Sequence, residues 1–226
     1  MCGRFALYSD PETLARRFGA QAPADLRPRY NVAPTQSIPI VREDDGQRRF
    51  ALVRWRLIPH WAKEMELGYN TINARAETGA SSPAYRSAFR HRRCLIVADG
   101  WFEWEARPDS KRKQPWFITL RDHEPMAFAG LWDRWHSPDG ADVESCTIIV
   151  TDANDRTRTI HPRMPVILAP DHWDTWLAPE GSDPEMLKGL LRPYPADDVT
   201  AWPVSTVVNK TRNDSPECIA RIDEEG

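Results

Sequence analysis

The alternation of hydrophobic and polar positions predicts many short strands in this chain of 226 residues. Runs rich in β-branched and aromatic residues are bounded by turn residues, which is typical of strands rather than of long helices. The 20 prolines are spread along the whole chain, and this also favours short elements and ordered turns. The predicted strands cover residues 37–41, 50–55, 94–98, 101–105, 116–120, 126–131, 147–151 and 166–168.

Short helices are predicted between these strands. The first begins after Asp10, because a capping side chain and Pro11 precede Leu14 and Phe18, which are spaced four apart. Three more begin at a proline and cover residues 83–89, 170–176 and 184–191. Strands and helices do not alternate regularly. We therefore predict an α+β fold with a mostly antiparallel, partly closed, barrel-like sheet and short peripheral helices.

The dipeptide Asp99-Gly100 separates two predicted strands and is typical of a type I′ turn, so we expect a β-hairpin here. The period of two along the second strand places Glu103 on the face opposite Phe102 and Trp104. A carboxyl group enclosed by aromatic side chains is a candidate general acid with a raised pKa. A solvated glutamate on a strand surface is the commoner arrangement, and it stays open at this point.

Hydrophobic residues make up 41% of the chain and charged residues 28%, a balance typical of a soluble globular protein. No apolar run approaches the roughly 20 residues that cross a bilayer, so no membrane partner is expected. The N-terminal segment reaches Asp10 and a helical pattern where a signal peptide is apolar. We therefore expect a cytoplasmic protein.

The net charge of −3 and the pI near 6.1 argue, as sums, against a nucleic-acid binder. Basic residues nevertheless concentrate in residues 54–56, 86–93 and 156–163. A phosphate responds to charges within about one Debye length, roughly 8 Å, so their distribution matters more than their sum. Solvated faces produce the same separation of charge, so nucleic-acid binding stays open.

The four cysteines lie far apart and form no C-x-x-C pair, which argues against a zinc knuckle and against a disulfide framework. Cys94 and Cys146 adjoin apolar strands and are interpreted as small buried hydrophobic residues. The sequence suggests no role for Cys218. Cys2 differs, because removal of Met1 leaves a free α-amine beside its thiol.

An α-amine and a thiol have ordinary pKa values of about 7.7–8.0 and about 8.5, so both are partly nucleophilic near neutrality. The amine of such a pair condenses with an aldehyde to a Schiff base. The thiolate then closes on the same carbon and gives a five-membered thiazolidine, a step favoured by proximity. An internal cysteine cannot follow this route.

Six motifs accompany Cys2 in a fixed order, and together they resemble those of the SOS-response-associated-peptidase (SRAP) family, the proteins that shield abasic sites in single-stranded DNA. The resemblance runs from Cys2 to about Pro165 and continues at residues 204–209, and it implies one domain over residues 1–226. The motifs are MCGRF (1–5), YNVAPT (30–35), WRLIP (55–59), NARAET (73–78), ADGWFEW (98–104) and HPRMP (161–165).

The resemblance implies that Cys2 forms a thiazolidine with the ring-opened deoxyribose of an abasic site. It assigns Asn73 to hold the new N-terminus, Glu103 to move protons during ring opening, and His161 to assist proton transfer at the aldehyde carbon. The implied enzyme crosslinks itself to DNA, with lyase-like strand cleavage and peptidase removal of its own Met1 as accompanying activities. The expected partner is single-stranded DNA with abasic sites, bound at the nucleoid by a monomer that uses no cofactor and no metal.

By the same resemblance, Arg4 and Arg75 grip the flanking phosphates, which suits the guanidinium fork. Trp61 is expected to wedge or stack at the strand junction. The family usually has tyrosine at the position of Phe102, but strand alternation points Phe102 away from Glu103, so we expect catalysis to survive. Taken singly, Arg75 is also typical of a helix surface and Trp61 of a core.

Three other interpretations remain open. Cys2, His161 and Asn73 have the residue types of a cysteine peptidase triad, but a peptidase does not need its cysteine at position two. Asn73 is also typical of a turn, and His161 of a loop beside a proline. A non-catalytic single-strand binder needs tryptophan and arginine platforms but not Cys2. A metal enzyme is disfavoured, because no spacing of His and Cys resembles a ligand set.

Overall fold

The computed structural model describes residues 2–65, 70–108, 110–179 and 183–222. Strands dominate these residues and form two sheets. In chain order the strands are β1 (Phe5–Leu7), β2 (Arg29–Val32), β3 (Ser37–Asp44), β4 (Gln47–Trp55), β5 (Asn73–Arg75), β6 (Arg93–Ala98), β7 (Gly100–Glu105), β8 (Gln114–Leu120), β9 (Met126–His136), β10 (Asp142–Asp152), β11 (Arg163–Pro165), β12 (Ile167–Leu168) and β13 (Val199–Pro203).

The larger sheet closes into a five-stranded barrel. Strand β4 pairs with β3, β3 with β6, β6 with β9 and β9 with β10, all antiparallel. The ring closes where β10 pairs in parallel with β4, with Cys146 opposite Trp55. Closure removes the exposed edges that an open sheet would present. The predicted α+β fold with a mostly antiparallel, barrel-like sheet is confirmed, and its closure is complete.

The second sheet is antiparallel in the order β13-β8-β7-β1-β2. It sets the position of the N-terminal segment, because Phe5 of β1 lies opposite Trp101 of β7. The N–H of Phe102 donates to the carbonyl of Arg4 at 2.9 Å and extends this pairing towards the N-terminus. Residues just before β1 are thereby held beside β7.

The predicted hairpin at Asp99-Gly100 is wrong. Strand β6 belongs to the barrel and β7 to the second sheet, and neither residue of the pair has a positive φ. The Asp99 carboxylate instead accepts hydrogen bonds from the backbone N–H groups of Tyr8 and Ser9, and its carbonyl accepts one from Thr119. The dipeptide therefore carries the chain from one sheet to the other.

Gly100 is required by close packing rather than by a turn. A Cβ at this position would overlap the ring of Phe117 and lie 2.7 Å from the carbonyl oxygen of Ile118. The alternation predicted along β7 is confirmed: Phe102 packs with Phe117 in a small cluster of its own, whereas Trp101 belongs to the main core. Phe102 therefore points away from the main core.

The first helix, α1 (Pro11–Phe18), is as predicted: the Asp10 carboxylate caps it, and Leu14 and Phe18 are buried. The helix predicted for residues 83–89 begins later, because a turn around Pro83 precedes it. The segment predicted as 170–176 divides into a 3₁₀ turn and a helix. The remaining helices are α2 (Ala76–Gly79), α3 (Arg86–His91), α4 (Trp173–Leu177) and α5 (Pro184–Gly189), with 3₁₀ turns at Pro170–His172, Ala196–Asp198, Thr206–Asn209 and Pro216–Cys218.

None of the helices within the described residues has the length and apolarity needed to span a membrane.

Candidate active site

A cleft of about 560 Å³ opens beside the N-terminal segment. It brings together three residues of the predicted site, namely Arg4, Glu103 and His161. A larger cavity of about 620 Å³, beside Gly19 and Arg48, holds none of the predicted site residues. The first cleft is therefore the candidate active site. Its lining consists of Arg4, Glu103, Trp104, Arg112, Lys113, His161 and Asn209.

Glu103 lies on β7 between β1 and β8 and is 3% exposed. Burial raises its pKa to about 7, because a desolvated carboxylate is less stable than the neutral acid. The positive charge of Lys113 acts in the opposite direction, with a smaller effect. The interpretation of Glu103 as a solvated strand residue is wrong. Near neutrality this carboxyl group is able both to give and to accept a proton.

Cys2 is fully buried and packs against the main core. Burial raises the pKa of its thiol, the charge of Glu103 raises it further, and a hydrogen bond from the backbone of Arg4 lowers it. The thiol is therefore held protonated beside a carboxyl group that titrates near neutrality. Met1, on whose removal the predicted chemistry depends, lies outside the described residues.

His161 lies just before β11 and is partly buried. Its Nδ1 is 3.9 Å from Oε2 of Glu103 and 3.1 Å from the backbone nitrogen of Arg163. Burial lowers the pKa of His161, because the imidazolium loses solvation. Glu103 and His161 therefore form a pair in which the carboxyl group is the better proton donor and the imidazole the better acceptor at neutral pH.

Arg4 is fixed from within the protein. Its Nη1 donates to Oδ1 of Asn31 at 2.6 Å and to the carbonyl of Val208 at 2.8 Å. The guanidinium also lies 5.7 Å from the ring centroid of Trp104, a cation–π contact. Arg4 therefore contributes an oriented positive charge to the cleft, with part of its hydrogen-bonding capacity already used.

Asn73 begins β5 and lies opposite Ile148 of β10, so its interpretation as a turn residue is wrong. Its backbone carbonyl accepts a hydrogen bond from the hydroxyl of Tyr85 at 3.2 Å. Its side-chain nitrogen and oxygen are buried and meet no hydrogen-bond partner among the described residues. Buried amides are normally satisfied, so this one is suited to a group that the described residues do not supply. Asn73 does not line the cleft.

Arg75 and Trp61 are not among the residues that line the cleft. Arg75 is exposed at the end of β5, next to α2, rather than on a helix surface. Trp61 is 50% exposed, so its interpretation as a core residue is wrong. Its indole N–H donates to the carbonyl of Pro83 at 3.2 Å in a separate cleft of about 430 Å³ that shares no lining residue with the first.

Sequence reasoning missed several residues of the site. Arg112 and Lys113 line the cleft, and the basic run Lys111-Arg112-Lys113 just before β8 was a visible signal of them. Asn209 lines the cleft too, and its Oδ1 accepts the indole N–H of Trp104 at 2.7 Å. The fully buried Asn31, which anchors Arg4, is part of the YNVAPT motif but suggested no role of its own.

Cys94, Cys146 and Cys218 are buried free thiols, as interpreted for the first two. Within residues 2–65, 70–108, 110–179 and 183–222, no three His, Cys, Asp or Glu side chains are grouped so as to hold a metal ion. The chemistry that the described cleft offers is that of a carboxyl group, an imidazole and positive charges, with the buried thiol of Cys2 close enough to feel the charge of Glu103.

The sequence model of the SOS response associated peptidase (SRAP) family matches residues 1–211. The chain belongs to the SRAP family. This SRAP protein is 43% identical to the abasic site processing protein YoqW of Bacillus subtilis, over 97% of this chain and 99% of that relative. It is 32% identical to the abasic site processing protein HMCES of Xenopus tropicalis, over 87% of this chain and 67% of HMCES. A crystal structure of a Bacteroides thetaiotaomicron protein has the same fold, with a TM-score of 0.85 and 27% identity, and covers 98% of this chain and 100% of that one.

Proposed function

We propose that this protein, once Met1 is removed, bonds covalently through Cys2 to abasic sites in single-stranded DNA and shields them in the DNA damage response. The observation that carries the proposal is the burial of Cys2 and Glu103 close enough together for the carboxylate charge to raise the pKa of the thiol, with the pKa of Glu103 itself raised to about 7. The names of YoqW and HMCES, which describe abasic site processing, support the choice of substrate.

The reaction begins on the sugar. The abasic deoxyribose is a closed hemiacetal, and Glu103 donates a proton to the ring oxygen while the C1′ hydroxyl loses its own proton. The C1′ aldehyde that results accepts the α-amine of Cys2, and loss of water leaves a Schiff base. The Cys2 sulfur then adds to C1′, and the thiol proton passes to the nitrogen. The products are a thiazolidine and one water molecule.

Each site residue has its own part in these proton transfers. Glu103 donates first and, once ionised, relays the thiol proton of the neighbouring Cys2 to the nitrogen. His161, neutral at physiological pH because burial lowers its pKa, accepts the proton that the C1′ hydroxyl loses as the ring opens, and its transfer to Glu103 afterwards restores both groups. The buried amide of Asn73 holds the amine that appears when Met1 leaves.

Single-stranded DNA is the proposed partner because the nucleophile is fully buried. A nucleotide inside a duplex must be extruded to reach such a site, whereas a single strand avoids most of that cost. Arg4 and Arg75 contact phosphates on either side of the lesion, and the exposed Trp61 stacks on the flanking strand in its own cleft. The protein acts as one domain and as a monomer, at the nucleoid.

The proposal is tested with protein whose loss of Met1 has been verified by intact mass. Incubation with a single-stranded oligonucleotide carrying one abasic site should give a slower band on a denaturing gel, and undamaged DNA should give none. Cys2→Ala should form no stable adduct, although borohydride should trap an imine at its α-amine. Absence of the band with unmodified protein would contradict the proposal, as would a stable adduct of Cys2→Ala without reductant.

A cysteine peptidase is the less favoured function. Such enzymes need a thiolate, which is obtained by lowering the pKa of the cysteine, whereas burial and Glu103 both raise the pKa of Cys2. Peptidase action is proposed only for removal of Met1. A general peptide substrate should therefore be left intact under conditions where the abasic oligonucleotide is crosslinked.

A further inference from the structure

Two basic side chains at the rim of the cleft have no part in the proposed reaction. Arg112 and Lys113 end the loop that joins β7 to β8, and both are exposed. The end of that loop is fixed, because Gln114 pairs with Glu105 across the two strands. The Gln114 side-chain amide also donates to the carbonyl of Val204 at 2.9 Å. The two cations therefore project from a held position.

The charges that line the cleft favour an anionic ligand. Arg4, Arg112 and Lys113 are cations, and the only carboxyl group among the described lining residues is Glu103. Arg4 already donates to Asn31 and to Val208. Arg112 and Lys113 therefore supply most of the hydrogen-bonding capacity that is left for a ligand. This local excess of positive charge contrasts with the net charge of −3 of the whole chain.

We propose that Arg112 and Lys113 form a phosphate-binding rim that holds the phosphodiester next to the abasic nucleotide. This inference rests on the proposed function and adds two residues to it. The guanidinium fork of Arg112 binds two phosphate oxygens at once, and Lys113 supplies a mobile point charge. A phosphate held there places its sugar over Glu103 on the floor of the same cleft.

Lys113 also couples DNA binding to the acid. Glu103 is faced by Cys2 of the N-terminal segment, by His161 of the loop before β11 and by Lys113. The charge of Lys113 lowers the pKa of Glu103 against the larger effect of burial. A phosphate that neutralises Lys113 removes this influence. The carboxyl group is then more fully protonated when the sugar has arrived, which is when its proton is needed.

The first test measures noncovalent binding to undamaged single-stranded DNA at several salt concentrations. The slope of log K against log salt is negative, and Arg112→Gln and Lys113→Gln should each reduce its magnitude by about 0.7. Lys111→Gln is the matched control, because Lys111 is exposed in the same loop but does not line the cleft. It should keep the slope of the unmodified protein. Equal losses for Lys111→Gln and Lys113→Gln would overturn the rim, and so would unchanged slopes in both rim variants.

The second test follows the pH profile of single-turnover crosslinking at subsaturating DNA, where the rate reports the pKa values of the free protein. The limb that Glu103→Gln abolishes should move to higher pH in Lys113→Gln and stay in place in Lys111→Gln. An unmoved limb in Lys113→Gln would overturn the coupling. If the unmodified protein forms no adduct, the proposed function fails, while the salt slopes still decide whether the rim binds phosphate. If it forms the adduct and the slopes are unchanged, only the rim fails.

Discussion

Nδ1 of His161 lies 3.9 Å from Oε2 of Glu103. This separation is too long for a strong hydrogen bond but short enough for each charge to influence the other. Burial shifts the two pKa values in opposite senses, upward for the carboxyl group and downward for the imidazole. At neutral pH a large fraction of Glu103 therefore carries a proton that it is able to donate, while His161 is able to accept one.

Glu103→Gln should slow adduct formation by about 10²–10⁴-fold, because it keeps shape and hydrogen bonding but removes the transferable proton. His161→Ala should slow it less, since water is able to carry a proton in place of the imidazole. Noncovalent affinity for undamaged single strand should stay constant in both. Glu105→Gln is the matched control: Glu105 is on the same strand and face, where its carboxylate accepts the indole N–H of Trp116. Single-turnover rates decide, and an undiminished rate in Glu103→Gln would remove Glu103 from the mechanism.

Stability should depend on pH through the same carboxyl group. Its pKa in the folded protein, about 7, is above the ordinary value of 4.5, so its contribution is full below pH 4.5 and is lost as the pH rises through 7. The difference between these two pKa values corresponds to about 3 kcal/mol of stability. Glu103→Gln should therefore raise the free energy of unfolding at pH 8 by up to that amount, and by much less at pH 5. Urea titrations at both pH values measure this, and an equal difference at both would contradict it.

The strands were predictable because alternation is a local property, and each predicted strand overlaps an observed one. Closure of the barrel was not, because the parallel pairing of Ser145 and Cys146 with Arg54 and Trp55 joins segments far apart in the chain. Strands β9 and β10 also extend beyond the predictions. Their outer ends, which pair from Asp142 opposite His136 onward, carry charged residues that hide the strand pattern.

The candidate site, too, was predictable from the sequence only in part. The motifs indicated Cys2, Glu103 and His161, and the structure places His161 3.9 Å from Glu103 and Cys2 close enough for the charge of Glu103 to raise the pKa of its thiol. They did not indicate Lys113, because a basic residue in a loop between two strands is normally solvated. The Asp99-Gly100 dipeptide misled for a related reason: local propensity favoured a turn, whereas the tertiary structure required a glycine against β8.

Gly100→Ala should destabilise the protein by about 1–3 kcal/mol or more. The added Cβ would overlap the ring of Phe117 and approach the carbonyl of Ile118, so β7 must move away from β8. Crosslinking should also slow, because Glu103 lies three residues further along the displaced strand. Gly189→Ala is the control, since a Cβ added there, at the end of α5, would meet no atom within 4 Å beyond its chain neighbours and the backbone of its own helix. Denaturant titration compares the two, and equal stabilities would contradict the packing argument.

Asn31 and Arg4 should act as one unit. Asn31 is fully buried; its Oδ1 accepts from Arg4, and its Nδ2 donates to the carbonyls of Val208, Lys210 and Asn213 at 3.1, 3.2 and 2.6 Å. Asn31→Ala leaves buried partners unsatisfied, each at a cost of about 1–3 kcal/mol, and releases the guanidinium from its orientation.

A double-mutant cycle measures this coupling. Arg4→Met and Asn31→Ala should each weaken binding to single-stranded DNA, but the double variant should lose less than the sum, by about 0.5–3 kcal/mol, because a misoriented arginine contributes little more than an absent one. The free energies of unfolding should be non-additive as well. Lys188→Ala with Arg4→Met is the control pair. The contact described for the Lys188 side chain is with Glu185 on the surface of α5. The effects of these two substitutions should therefore add within about 0.5 kcal/mol. Additivity of Arg4→Met with Asn31→Ala in DNA affinity would show that Arg4 reaches the phosphate without the orientation that Asn31 provides, and the fixed geometry of the guanidinium would then have no part in binding.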